Sequence, residues 1–176
     1  PHPGDVWLFG YGSLMWNPGF EPLETRPALL YGWHRSFCVS SRNYRGSKDD
    51  PGLVLGLDRG GSCHGYGHLI AESERDRVFA YLEEREMPED IYQCRVVALH
   101  TANGPIEGCA FVVNRENFMY DGKLPQIAVA RRIARCAGNR GSNREYLENT
   151  VRHLDELGIG DGPMHRLLQR VEALGP

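Results

Sequence analysis

Apolar periodicity changes character once along these 176 residues, and that change limits the folds open to the chain. Up to residue 113 apolar positions recur mostly every second residue, the spacing of strands with one buried face. Beyond Pro125 they recur at the three-to-four-residue spacing of helices. A buried strand starts at Val6, and further strands are predicted over 28–41, 53–58, 63–70, 92–100 and 106–113. One helix, 73–86, interrupts them; Ser73-Glu74-Arg75-Asp76 reads as its capping box and Pro88 stops it. Helices are then predicted over 127–137, 143–157 and 163–174. Strands first, one helix among them and helices last make an α+β chain with a C-terminal helical part, not an alternating βαβ chain. No repeat or long linker divides it, so residues 1–176 are expected to form one domain.

The 28–41 run carries two alternating sets. Leu29, Tyr31, Trp33, Arg35, Phe37 and Val39 form the bulkier one and are expected on the half-buried face. Gly60-Gly61 reads as a hairpin-like break between two strands, 42–52 as a polar loop, and Ala102-Asn103-Gly104 as a tight turn.

A net charge of −3 offers no electrostatic reason to expect a nucleic-acid or anionic membrane partner. No apolar run approaches the roughly 20 residues of a membrane span, and no signal-peptide pattern is visible. The five cysteines are odd in number and lack CxxC spacing, which argues against a disulfide framework or a zinc ribbon. Reduced thiols and a cytoplasmic location are expected.

Function enters at the end of the first strand, Phe9-Gly10-Tyr11-Gly12-Ser13-Leu14. A strand running into such a turn can present backbone N–H groups to an anion. It is not a dinucleotide motif, since Met15 stands where the third glycine belongs and Asn17-Pro18-Gly19 breaks any helix. Ser13 lacks the GxSxG elbow of a serine nucleophile. On residues alone, a binding turn and a plain chain reversal both remain open.

Glu86 is the second candidate. Helical counting puts it on the arc of Val78, Phe79 and Leu82, at a C-terminus where the macrodipole opposes a carboxylate. Partial burial would raise its pKa toward that of a general base, whereas a frayed last turn would leave it solvated. His34, His64, His68, His100, His153 and His165 show no metal-ligand spacing. His64 and His68 share a strand face and read, like the others, as surface or satisfied interior histidines.

Together these segments resemble the ChaC-type γ-glutamylcyclotransferase family. The turn Phe9–Leu14 with Trp16 and Pro18 carries the resemblance, as do Ser40 to Gly46 with Pro51 to Val54 and Gly61 to Gly65. So do Tyr81-Leu82-Glu83-Glu84-Arg85-Glu86, Tyr146 to Thr150 and the segment from Leu157 to Asp161. The resemblance implies a compact mixed sheet or small β-barrel with surrounding helices, and cleavage of glutathione to 5-oxoproline and cysteinylglycine. It implies Glu86 as the catalytic acid/base and Tyr11, Gly12, Ser13, Leu14 and Tyr146 as substrate-binding residues, with no cofactor or metal and a small molecule as partner. The loop departs from its relatives, reading Arg-Gly-Ser-Lys-Asp-Asp-Pro-Gly where Arg-Gly-Thr-Pro is common. The competing readings are cyclisation of other γ-glutamyl amino acids or γ-glutamylamines, a non-catalytic small-molecule binding domain, and a Ser13 hydrolase.

Overall fold

A computed structural model describes residues 2–86 and 90–175, apart from the side chains of Arg85 and Glu86. Five strands close a barrel: β1 (Val6–Gly10), β2 (Glu24–Ser41), β3 (Gly52–Ile70), β4 (Tyr92–Thr101) and β5 (Gly104–Val113). Their order around it is β1-β3-β2-β4-β5. β1 pairs antiparallel with β3, from Val6 opposite Ile70 to Gly10 opposite Tyr66, and parallel with β5 at Trp7 and Leu8. β4 and β5 form a hairpin closed by the two-residue turn Ala102-Asn103, and Gly104 takes the positive φ that the turn requires. Inward side chains of Trp7, Phe9, Leu30, Leu57, Leu99 and Val112 fill this core.

The chain divides into two compact units: Pro1–Arg35 with Leu57–Asn117, and Ser36–Gly56 with Phe118–Pro176. The first also holds α1 (Glu72–Glu86), whose Val78 and Leu82 are buried and whose Phe79 ring lies 6.4 Å from that of Phe111. The second holds α2 (Gln126–Arg135), the two-residue strands β6 (Ala137–Gly138) and β7 (Gly141–Ser142), α3 (Asn143–Glu156) and α4 (Gly162–Glu172). The three helices pack on one another through Val129, Ile133, Leu147, Leu154, Leu167 and Val171. Among the described residues, no helix is long and apolar enough to cross a membrane.

Four expectations are corrected. β3 runs unbroken through Gly60 and Gly61; both take positive φ, so they bend the strand without ending it. β2 starts at Glu24, and its inward face changes part-way along. Leu30 is buried while Tyr31 is exposed, yet beyond Gly32 (φ 81°) it is Arg35, Phe37 and Val39 that turn in. A left-handed glycine adds one residue to the count and flips the alternation. α1 begins at Glu72, which puts Ser73 inside the first turn; the Glu72 N–H donates instead to Asp5 Oδ1 at 3.0 Å. α2 ends at Arg135 because Cys136 is extended and its carbonyl accepts the Asn143 N–H at 2.8 Å, starting the β6–β7 hairpin.

Candidate active site

The first unit presents the turn predicted to bind. β1 ends at Gly10, and Ser13–Met15 form one turn of tight helix. Tyr11 and Leu14 are buried, while Gly12 and Ser13 are partly open to solvent. Three successive carbonyls are anchored. Arg35 Nε donates to the Tyr11 carbonyl at 2.5 Å, Met15 N–H to that of Gly12 at 2.9 Å, and Asn17 N–H to that of Ser13 at 2.7 Å. In a trans peptide the N–H points opposite the preceding C=O. Anchoring those carbonyls therefore turns the Gly12, Ser13 and Leu14 N–H groups away from their anchors.

Arg35 is the residue that sequence reasoning missed. It is 2% exposed, and its Nη2 also donates to the His64 carbonyl at 2.7 Å, so one guanidinium ties the turn to β3. The available signal was a lone charge in the otherwise apolar set of β2. Gly65 has a related job: a Cβ there would collide with the Gly10 carbonyl and lie 2.8 Å from the Phe9 ring, so only glycine admits the end of β1.

Glu86 is the last residue of α1, four after the fully buried Leu82, and its side chain lies outside the described residues. Earlier on the helix, Tyr81 stands against the loop that follows the turn. A side chain at Gly19 (φ 78°) would meet the Tyr81 hydroxyl.

His68 contradicts the satisfied-histidine reading. It is 2% exposed; Nδ1 is 3.0 Å from the Thr25 hydroxyl, but Nε2 is buried with no hydrogen-bond partner among the described residues. Burial pushes its pKa down, against a weaker opposite pull from the Leu14 backbone, so the ring is neutral near pH 7.

Tyr146 belongs to the second unit, on α3. Its ring meets Phe37 edge-on at 5.5 Å, and the Arg45 guanidinium lies 5.1 Å from the ring centroid. Arg45 also donates to the Ser142 carbonyl at 3.1 Å and is 3.6 Å from Glu145. The loop that supplies Arg45 is built onto the β6–β7 hairpin: Asn139 and Arg140 N–H groups donate to the carbonyls of Asn43 and Tyr44. Asn143, next to the candidate tyrosine, is structural. It is fully buried and exchanges two 2.6 Å hydrogen bonds with the backbone of Leu53. The turn residues and the Glu86 backbone thus belong to one unit and Tyr146 to the other. All five cysteines are free, and no cluster of three potential metal ligands occurs among the described residues.

A five-stranded barrel whose first strand runs into an anchored glycine turn, followed by a helical C-terminal part, is the γ-glutamylcyclotransferase fold. The solved structure of a glutathione-specific γ-glutamyl cyclotransferase from yeast matches with a TM-score of 0.87 at 21% identity, covering 97% of both chains. The chain belongs to the family described as ChaC-like protein, whose model matches residues 6–174. The glutathione-specific γ-glutamylcyclotransferase of Escherichia coli is 33% identical over 175 residues, covering 99% of this chain and 76% of the relative. The glutathione-specific γ-glutamylcyclotransferase 1 of Mus musculus is 33% identical over 150 residues, covering 82% of this chain and 67% of its own.

Proposed function

We propose that the chain is a glutathione-specific γ-glutamylcyclotransferase that releases 5-oxoproline and cysteinylglycine. The observation that carries the reading is the glycine turn after β1, held through three consecutive carbonyls, in a chain matched over 99% of its length by a relative of that name.

The substrate's own α-amine attacks its γ-carbonyl. The bond from that nitrogen to the γ-carbon forms, and the bond from the γ-carbon to the cysteinyl nitrogen breaks. No water is consumed and nothing is oxidised. Holding amine and carbonyl in attack geometry can match an effective concentration of roughly 10⁵–10⁸ M. Glu86 takes a proton from the α-ammonium and returns it to the leaving nitrogen; the attacking nitrogen gives a second proton to solvent as the lactam forms, and the released amine takes one up. The Gly12, Ser13 and Leu14 N–H groups hold the α-carboxylate or steady the developing oxyanion, and Tyr11 and Tyr146 contact the substrate. Ser13 serves through its backbone and no acyl-enzyme forms. The protein acts as one domain, in the cytoplasm, on a small molecule and without a cofactor.

The test is incubation with glutathione and detection of 5-oxoproline, alongside γ-glutamyl-alanine and γ-glutamyl-lysine. Turnover of glutathione above the other two supports the reading, and turnover only of the others moves the substrate assignment. Glu86→Gln should fold as wild type and lose about 10²–10⁴-fold in kcat. Retained turnover would remove Glu86 from the mechanism.

A further inference from the structure

The turn has a fourth carbonyl, that of Leu14, and His68 stands beside it. The point where a Gly10 side chain would begin is 3.2 Å from His68 Nε2 and 3.3 Å from the Leu14 carbonyl carbon. Glycine at position 10 therefore keeps the imidazole and the Leu14 peptide in one small space. β3 places the ring there through the pairing of His68 with Leu8. The ring is further held by Phe20, edge-on at 6.1 Å, and by Tyr66, stacked at 6.5 Å. A buried polar atom without a partner is costly, and its presence calls for a partner in the working state.

We propose that His68 is a positioning residue for the substrate turn: the Thr25 hydroxyl donates to Nδ1, fixing the tautomer with hydrogen on Nε2, and that N–H closes on the Leu14 carbonyl when the turn takes up substrate. The inference rests on the assignment of the turn to substrate binding. It gives the fourth peptide plane the anchor that Arg35, Met15 and Asn17 supply to the first three. The weak upward pull of the Leu14 backbone on the imidazole agrees with a carbonyl facing it. His68 touches no reacting atom. Its effect is to keep the Leu14–Met15 peptide from rotating, and so belongs to substrate binding more than to bond making.

The experiment measures KM and kcat for glutathione in His68→Leu, His68→Gln and Thr25→Val, each checked by thermal melting. Leucine should raise KM at least 10-fold with kcat changed less than 3-fold. Glutamine, whose amide N–H can reach the place of Nε2–H, should restore KM to within 3-fold of wild type. Thr25→Val should fall between them. Wild-type KM in the leucine variant, or a glutamine variant no better than leucine, overturns the proposal. If the leucine variant does not fold, ¹⁵N spectra of histidine-labelled wild type decide. Protonation at Nε2 and a shift of that resonance on adding 5-oxoproline support the role; an unmoved resonance overturns it. Absence of any γ-glutamyl turnover in the wild type would instead sink the functional assignment, and the ¹⁵N measurement would still read His68 separately.

Discussion

Replacing Asn143 with leucine should destabilise the protein by about 2–6 kcal/mol. Asn143 is 0% exposed; its Oδ1 accepts the Leu53 N–H and its Nδ2 donates to the Leu53 carbonyl, both at 2.6 Å. Leucine matches the side chain in size but answers neither group. Each buried backbone group left unpaired costs about 1–3 kcal/mol. Against a total stability of roughly 5–15 kcal/mol, that loss is a large share. At about 2–4 °C per kcal/mol for a chain of this length, Tm should fall by about 4–24 °C. Asn143→Asp separates hydrogen bonding from packing. Its carboxylate still accepts the Leu53 N–H but faces the Leu53 carbonyl with negative charge. Once protonated, it can donate to that carbonyl. Burial raises its folded pKa above the unfolded value near 3.9, so the variant should gain stability relative to wild type as pH falls through the folded value. Urea melts of the three proteins at pH 7.5 and pH 4.5 measure both effects. A leucine variant within about 1 kcal/mol of wild type, or an aspartate variant with no relative gain in acid, would refute the reasoning.

Arg35→Lys should cost about 2 kcal/mol and raise KM for glutathione, because one ammonium cannot reproduce the fork that spans the Tyr11 and His64 carbonyls; chemical melts and initial rates test it. Cys109 should be the more reactive thiol of its pair with Cys94: a hydrogen bond from Cys94 brings its pKa down to about 7, while the Cys94 thiol is pushed up by the same contact. Iodoacetamide labelling of Cys109 should rise through a midpoint near pH 7, and Cys94→Ala should move that midpoint upward; an unmoved midpoint counts against the pairing. The His165 pKa is raised, chiefly by the Asp161 carbonyl and then by the Asp155 carboxylate 2.8 Å from Nε2. Its contribution is therefore present below about pH 6.5 and lost as pH rises through the higher folded value. Urea midpoints from pH 5.5 to 8.5 should fall more in wild type than in His165→Gln.

The candidate turn and the candidate base were legible because their signals are local. The turn combines a strand pattern with a glycine at the end of β1, Gly10, and a second two residues on, Gly12, and both signals are short-range. Glu86 stood out because helical spacing places it in phase with Val78 and Leu82. Arg35 and His68 were not legible as parts of the turn. One lies 24 residues from the carbonyl it holds, and the other reaches Gly10 only through the β1–β3 register. The bend at Gly60-Gly61 was misread for a related reason. Two glycines break a hairpin or bend a strand with equal ease, and strand pairing alone selects between them.

By itself, the sequence determines the α+β order, the hairpin at Ala102-Asn103, the helical C-terminal part and the family. These follow from periodicity and short motifs, which depend on neighbours within a few residues. The tertiary structure decides which strands close the barrel, which face of β2 turns inward after Gly32, and which side chains hold the turn after β1. Those choices come from the pairing register and from the need to satisfy buried backbone groups, and both join residues far apart in the chain.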